Sequence, residues 1–325
     1  MTAYILRRLG LALITLFGVA TILFVLFRMM PGDPTAQIIS PALDEVAQAR
    51  LKQAFGLDLP MWQQYLIYLK NLLSFEWGRS FTSGEPVAAL LGHWLVNTLL
   101  LMSTGLFLAI ALGALLGIFM AARRGGALDI GFTLVGLVFQ AAPPFVIGIL
   151  LLTCFSYRIE LFPSGGMFTP GSDFGSVWAL LTSADFVHHL ILPTLTITAL
   201  YLATPMLVMR DSMLEVLGSD YVEFARAKGL SPTRVLFHHA ARNALLAVMT
   251  VSSLIVGYAI GGQVVVETVF SWPGMGKAMV EAALQLDYPV AQASFFLMAV
   301  IVIFINLLTD LSYCLLDPRI RLGGA

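Results

Sequence analysis

Apolar residues in this chain form six long runs that contain no Asp, Glu, Lys or Arg. The runs cover residues 9–27, 95–122, 130–157, 190–209, 243–266 and 288–309. At about 1.5 Å of helical rise per residue, each run is long enough to cross the roughly 30 Å hydrocarbon core of a bilayer. The pattern predicts an all-α polytopic membrane protein with six transmembrane helices.

Composition supports this interpretation. Hydrophobic residues make up 58% of the chain and charged residues 11%, and the mean hydropathy of +0.87 lies outside the range of soluble domains. The net charge of −1 indicates no basic surface of the kind that binds nucleic acid.

The first run could also be a cleaved signal peptide, because Arg7 and Arg8 precede it. Such a segment has an apolar core of roughly 7–15 residues and a small-x-small cleavage site. The run is longer than this, and no such site precedes the sequence RMMPGDP. We expect residues 1–30 to form a retained first helix.

The orientation of the chain is predicted from Lys and Arg, which resist translocation and stay on the cytoplasmic side. With the N-terminus inside, 11 of the 18 fall in inner segments: Arg7, Arg8, Arg123, Arg124, Arg210, Arg226, Lys228, Arg234, Arg242, Arg319 and Arg321. The other 7 fall in the longer outer segments: Arg28, Arg50, Lys52, Lys70, Arg79, Arg158 and Lys277. Both termini are therefore expected to be cytoplasmic.

A polar region of residues 31–94 follows the first run, and it opens with the helix-breaking sequence PGDPT. Apolar residues recur at helical spacing over 43–55 and 61–73, which predicts two short amphipathic helices. They would lie on the membrane surface or contact an external partner. A lid that packs on the helix bundle fits the same pattern.

Glycine and proline modify the predicted spans. Gly113 and Gly117 are four residues apart, as are Gly257 and Gly261, a spacing that lets helices approach closely in lipid. Prolines inside the spans remove backbone donors and are expected to bend the third span, at Pro143 and Pro144, and the fourth, at Pro193 and Pro205.

The sequence lacks the motifs of several energy-coupled or catalytic classes. It contains neither G-x-x-x-x-G-K-[ST], which would cradle a nucleotide, nor G-x-S-x-G. Ion-coupled carriers hold ionisable residues at membrane depth, whereas here only Asp310 lies at the end of a run. Adjacent histidines at 188–189 and 238–239 point about 100° apart on a helix, so hydrogen bonding is expected of them and not metal binding.

The longest inner segment, residues 210–243, contains the sequence SDYVEFARAKGLSPTR. Asp220 is expected to cap a helix over 221–228, with Glu223 completing a capping box. Arg226 and Lys228 suit the negative end of this helix, and Gly229 can adopt the left-handed conformation that ends it.

Ser231 and Pro232 are typical of the start of a second helix, which leads into the fifth span. In the first helix, the 3.6-residue period places Tyr221, Phe224, Ala225 and Lys228 on one face. A small knob of apolar and basic residues suits a groove in another protein, although a surface helix resting on lipid headgroups has the same pattern.

The string EFARAKG resembles the EAA loop of permease subunits of bacterial ABC importers. Further strings in order, GSDYVEFARAKGLSPTRVLFHHAARNALL, VVVETVFSWPGMG, LDYPVAQ and NLLTDLSYCLLDPRIR, resemble the dipeptide, oligopeptide and nickel permease family. YILRRLG and MMPGDP near the N-terminus are similar to its first permease subunit type. The likeness extends over nearly the whole chain.

This resemblance implies a type I ABC importer permease fold in the bacterial cytoplasmic (inner) membrane. It implies a second, non-identical permease, two ATP-binding subunits and an external solute-binding protein as partners. The chain itself would be no enzyme and hold no cofactor, because ATP and Mg would be bound by the ATPase subunits. The five helices of 95–317 would form the transport domain, and 318–325 a cytoplasmic tail.

The resemblance makes this helix the expected contact with the ATPase. Together with the face given by the helical period, the expected coupling residues are Tyr221, Glu223, Phe224, Ala225, Lys228 and Gly229. Phe224 departs from the loop motif, in which an alanine stands at that position, and residues 239–242 do not match its later part. Glu223, Ala225 and Gly229 are the matching positions. The expected function is ATP-driven import of peptides or a related small solute, and a self-contained carrier or channel is the alternative.

Overall fold

The computed structural model describes residues 2–29, 59–259 and 264–316. The predicted helix over 43–55, Gly261 and the tail 318–325 lie outside these residues, as does the PGDPT break. Side chains are described from residue 6 to residue 308, apart from those gaps and residues 257 and 258.

Helices dominate the described part of the chain. In chain order they are α1 (Thr2–Met29), α2 (Met61–Leu73), α3 (Val87–Ala122), α4 (Ala127–Ala141), α5 (Pro144–Leu151), the π-helix π1 (Leu152–Arg158), α6 (Val177–Leu181), α7 (Ala184–Tyr201), α8 (Ala203–Leu217), α9 (Asp220–Ala227), α10 (Pro232–Arg234), the π-helix π2 (Val235–Ala240), α11 (Ala241–Ala259), α12 (Val264–Val269), α13 (Met275–Leu284) and α14 (Tyr288–Leu316). The amphipathic helix predicted over 61–73 is present as α2.

The six predicted spans correspond to four unbroken helices and two bent pairs that are long and apolar enough to cross a membrane. The unbroken spans are 6–29, 87–122, 232–256 and 288–308. The second begins at Val87, eight residues before the apolar run, and its first two turns are also apolar except for His93.

The third span is broken between α4 and α5, whose axes differ by 108°. The prediction of a bend at the proline pair is confirmed. Two residues separate the helices. Ala142, the C-cap of α4, has ψ 137°, and Pro143, the N-cap of α5, has ψ 139°, both extended values. A proline restricts the preceding residue to such values, so Pro143 and Pro144 together force the chain out of the helix.

The fourth span bends by 47° between α7 and α8. The bend falls at Leu202, three residues before Pro205, whereas α7 continues through Pro193. The bend predicted at Pro205 is therefore confirmed, and the bend predicted at Pro193 falls within a helix that continues without a break. Thr194 and Thr198, both buried, lie in the turn of α7 that follows Pro193, and the Thr198 hydroxyl donates to the Thr194 carbonyl at 2.8 Å.

The fifth apolar run falls on two described helices. Its described residues up to Ala259 belong to α11, and residues 264–266 belong to α12. Residues 260–263 lie outside the described residues, so the extent of one helix through the run stays a prediction.

The chain divides into two compact units, one of residues 1–97 and 274–325 and one of residues 98–273. In the first, α1 packs on α2 and α14. Phe24 contacts the ring of Tyr65, and Phe27 contacts the ring of Tyr288 edge to face. Buried Asp287 accepts hydrogen bonds from Ser80 Oγ at 2.5 Å and from the Phe81 amide at 3.1 Å, which fixes residues 80–83 to the start of α14.

The second unit is built around close approaches of α3 and α4 to α8. A Cβ on Gly117 would lie 2.5 Å from the Met206 carbonyl oxygen, and one on Gly113 would lie 2.9 Å from Pro205 Cγ. A Cβ on Gly136 of α4 would lie 2.5 Å from Met206 Cε. The close packing predicted from the Gly113 and Gly117 spacing is confirmed, because a Cβ at either position would lie 2.9 Å or less from an atom of α8.

Candidate functional site

The helix α9 lies between the fourth and fifth spans, where the sequence predicts a contact with a partner. It starts one residue earlier than predicted, at Asp220, and Ser219 is its N-cap with extended φ −84° and ψ 150°. The predicted cap at Asp220 is therefore wrong. The Ser219 hydroxyl donates to the Val216 carbonyl at 2.5 Å, so it joins α9 to the end of α8 and does not cap the helix amides.

Gly229 ends the helix as predicted. Its φ is +76°, in the left-handed region, and its amide donates to the Arg226 carbonyl at 2.9 Å. The Leu230 amide then donates to the Ala225 carbonyl at 3.4 Å, which completes a turn back over the helix end. Ser231 is the N-cap and Pro232 the first residue of α10, as predicted.

The two faces of α9 differ from the predicted pattern. Ala225 is only 6% exposed and packs with Val222 of the same helix and Val235 of π2. The prediction that Ala225 shares the outward face is wrong, because residues three apart lie on one side of a helix and Val222 is fully buried. Ala225 therefore belongs to the base that holds α9 in place.

The outward face consists of Tyr221, Phe224 and Lys228, with Glu223 beside them, and all four are exposed. Phe224 is 62% exposed. The Lys228 ammonium lies 4.5 Å from the centre of the Phe224 ring, so the charge and the ring present one combined surface.

Tyr221 also ties α9 to the region just before the fifth span. Its hydroxyl accepts a hydrogen bond from Asn243 Nδ2 at 2.7 Å and donates to the His239 carbonyl at 3.3 Å. Partly buried Val216 and Leu217 of α8 pack against the base of α9 as well. The helix is thus attached both to the span before it and to the span after it.

This attachment continues into the spans. Met209 and Met213 of α8 are buried against Ala240, Ala244 and Val248 of π2 and α11. A displacement of α9 would therefore move the ends of the fourth and fifth spans with it, because packed interiors transmit strain.

An ion pair missed in the sequence joins the third and fourth spans near the same end. Arg210 Nε lies 2.6 Å from Asp129 Oδ1 and Arg210 Nη2 2.9 Å from Oδ2, a two-point contact. The Gly125 amide also donates to Asp129 at 2.9 Å. Both charges stand beside apolar runs in the sequence, but 81 residues separate them, so no local pattern indicates the pair.

Glu267 is a second buried group that sequence analysis missed. It lies on α12, is 0% exposed, and its Oε1 accepts a hydrogen bond from Thr98 at 2.5 Å. The residue directly follows the fifth run, so its burial was not visible from the run's boundaries.

The paired histidines before the fourth span form hydrogen bonds, as predicted. His188 Nε2 is 2.6 Å from the Leu161 carbonyl oxygen, and His189 Nδ1 is 2.9 Å from the Asp185 carbonyl oxygen. The first contact fastens the segment before α7, and the second lies within α7 itself.

Comparison with known families identifies the chain. The family described as "Binding-protein-dependent transport system inner membrane component" matches residues 113–322, and the corresponding N-terminal family matches residues 1–104. The chain belongs to this inner membrane component family. The 219–243 region lies inside the part of the chain that this family matches, and the spans around it are those of a multi-pass membrane permease.

Relatives resemble this inner membrane component over its full length. It is 38% identical to the oligopeptide transport system permease protein AppB of Bacillus subtilis (strain 168), over 99% of this chain and 100% of that protein. It is 40% identical to the di/tripeptide transport system permease protein DppB of Pseudomonas aeruginosa (strain UCBPP-PA14), over 99% of each.

The fold of the inner membrane component is also found in a solved structure, that of the MetNI methionine ABC transporter in inward facing conformations. The TM-score is 0.55 at 15% identity, over 72% of this chain and 99% of that chain. The match covers nearly all of the solved chain, and it establishes the type I ABC importer permease fold.

Proposed function

We propose that this chain is one permease subunit of an ATP-driven importer for peptides or a related small solute. It pairs with a second, similar permease to enclose the translocation path, two ATP-binding subunits drive it, and an external binding protein delivers the solute. Two supports are the peptide permeases that resemble the chain over its whole length and the exposed aromatic-cationic knob on α9.

The exposed face of α9 is the proposed docking surface for the ATP-binding subunit. Its Phe224 ring would enter an apolar groove while Lys228 and Glu223 contact charges on the rim, because buried aromatic anchors contribute most to such interfaces. Glu223, Ala225 and Gly229 match the loop motif, yet they act differently: Ala225 holds the base and Gly229 holds the turn.

Force would pass from the docking surface to the path through packed contacts. Closure of the ATPases would move α9 as a rigid body, and the ends of α8 and α11 would follow through Met209, Met213 and Val248. The Asp129–Arg210 pair would carry the movement on to α4. The bundle would then alternate between outward and inward openings.

Isolation of the tagged chain from membranes in mild detergent tests this proposal. The wild-type chain is expected to bring a stoichiometric ATP-binding subunit, and Phe224→Asp should lose it because a desolvated carboxylate cannot occupy an apolar groove. Thr233→Asp is the matched control, since it adds the same charge at an exposed position of α10 and should retain the subunit.

A self-contained carrier or channel, the alternative class, would purify alone and would transport solute without ATP. Such an outcome for the wild-type chain would reject the proposal. The solute itself is best identified from the ligand that the partner binding protein retains on purification.

A further inference from the structure

The break in the third span leaves backbone acceptors without amides. In an α-helix each carbonyl accepts from the amide four residues on. For the carbonyls of Phe139 and Gln140 that position holds Pro143 and Pro144, which have no N–H. The last helical bond at this end is donated by the Ala142 amide to the Val138 carbonyl, at 3.0 Å.

These carbonyls lie at membrane depth. The helix α4 has 15 residues and starts from the polar RRGG turn, so its last residue lies about 22 Å along its axis, within a hydrocarbon core of roughly 30 Å. The free carbonyls also stand at the negative end of the α4 dipole.

A polar side chain stands at the same place. Gln140 is exposed on the surface of this chain, and its Nε2 donates a long hydrogen bond of 3.5 Å to the Thr204 hydroxyl. Thr204 follows the bend of the fourth span, so the two bends are neighbours. With its amide nitrogen directed at Thr204, Gln140 has its Oε1 as a further acceptor beside the carbonyls.

Lipid is an unsuitable neighbour for this group of acceptors. Irregular backbone at membrane depth is tolerated where it is enclosed by protein or lines a water-filled cavity, because each unsatisfied polar group in hydrocarbon costs several kcal/mol. Val138, two residues earlier and 66% exposed, points to the other side of α4 and suits lipid. The Gln140 side of the break therefore faces protein or the path.

We propose that the α4–α5 break, with Gln140, is a site in the translocation path that holds the α-ammonium group of a peptide. Carbonyl oxygens and the carboxyl end of a half-helix stabilise cations in membranes without a buried carboxylate. This accounts for how apolar runs without acidic residues could lower the cost of moving a charged amine. The inference rests on the proposed importer function and adds a substrate contact to it.

Cysteine reactivity tests the site in the assembled importer. In a background without Cys154 and Cys314, Gln140→Cys is treated with the cationic reagent 2-(trimethylammonium)ethyl methanethiosulfonate and with its anionic sulfonatoethyl counterpart. The ratio of the two rates, relative to the same ratio for free cysteine in water, should be raised about fivefold or more by the carbonyls and the dipole. Trialanine should slow the cationic reagent more than N-acetyl-trialanine does.

Val138→Cys is the matched control and should react slowly with both reagents. A rate ratio at Cys-substituted position 140 equal to that of free cysteine would overturn the proposal, as would equal protection by the two peptides. No reaction at position 140 would place the break against lipid or the second permease, which also rejects it. Because labelling requires no transport, a failure of ATP-driven uptake would count against the importer function alone.

Discussion

At the scale of single residues, Gly229 determines where the α9 knob ends. Its φ of +76° lies in the left-handed region, and a Cβ built there would meet no atom within 4 Å. The constraint at this position is therefore backbone conformation and not space. Phe224 and Lys228, five residues and one residue before it, owe their exposed positions to this turn.

Replacement of Gly229 separates these two factors. Gly229→Val should uncouple ATP hydrolysis from uptake, because a β-branched residue in the left-handed region costs about 1–2 kcal/mol and shifts the end of α9. Gly229→Asn is the control, since asparagine tolerates this conformation and should keep most of the activity. Uptake per ATP hydrolysed by the reconstituted complex measures both, and equal behaviour of the two variants would contradict the role of the turn.

At the scale of elements, α8 is held by glycines of its neighbours and by one ion pair. The helix α8 packs closely against Gly113 and Gly117 of α3, where a Cβ would lie too near its atoms. Met206 of α8 also packs against Gly136 of α4. The Asp129–Arg210 contact then fastens α4 to α8. The element that leads into α9 is thus fixed on two sides.

The close approach of α3 to α8 predicts opposite effects at two glycines. Gly117→Ala should destabilise the chain by about 1–3 kcal/mol, because the added methyl group would meet the Met206 carbonyl and Met209 Cβ. Gly131→Ala in α4 meets nothing within 4 Å and should be neutral or stabilising by up to about 1 kcal/mol. The midpoint of thermal unfolding of the detergent-solubilised importer measures both, and an undiminished midpoint for Gly117→Ala would contradict this packing.

At the scale of the whole molecule, the charge distribution and the proposed docking surface agree on one orientation. The 219–243 region holds Arg226, Lys228, Arg234 and Arg242, which favour the cytoplasmic side, and the proposed docking would turn the same region toward the ATPases. In that orientation the segment before α7, which holds exposed Ser172, would face the outside.

Labelling from one side of the membrane checks this orientation. In a background without the two native cysteines, an impermeant maleimide added to intact cells or spheroplasts should modify Ser172→Cys and leave Thr233→Cys unmodified until the membrane is opened. Both positions are exposed in this chain, so access is decided by the side of the membrane. The reverse pattern would invert the orientation and exclude docking of α9 on a cytoplasmic ATPase.

The amino-acid sequence by itself determined the features that depend on local physics. Long apolar runs indicate the spans, because a helix that crosses lipid needs a continuous apolar stretch. The Pro143–Pro144 pair indicates the break between α4 and α5, and Gly229 indicates the turn after α9, because their backbone restrictions act on adjacent residues. The amphipathic helix over 61–73 follows from periodicity in the same way.

Only the tertiary structure decided what lies opposite what. Ala225 turned inward because Val235 and Leu217 cover it. The Ser219 hydroxyl bonds the Val216 carbonyl at the end of α8 and leaves the α9 amides without a side-chain cap, and Pro193 remained within a helix. Asp129 meets Arg210, and Glu267 meets Thr98, across 81 and 169 residues of chain. Contacts at such separations depend on how the helices pack, and no periodicity in a single sequence records that.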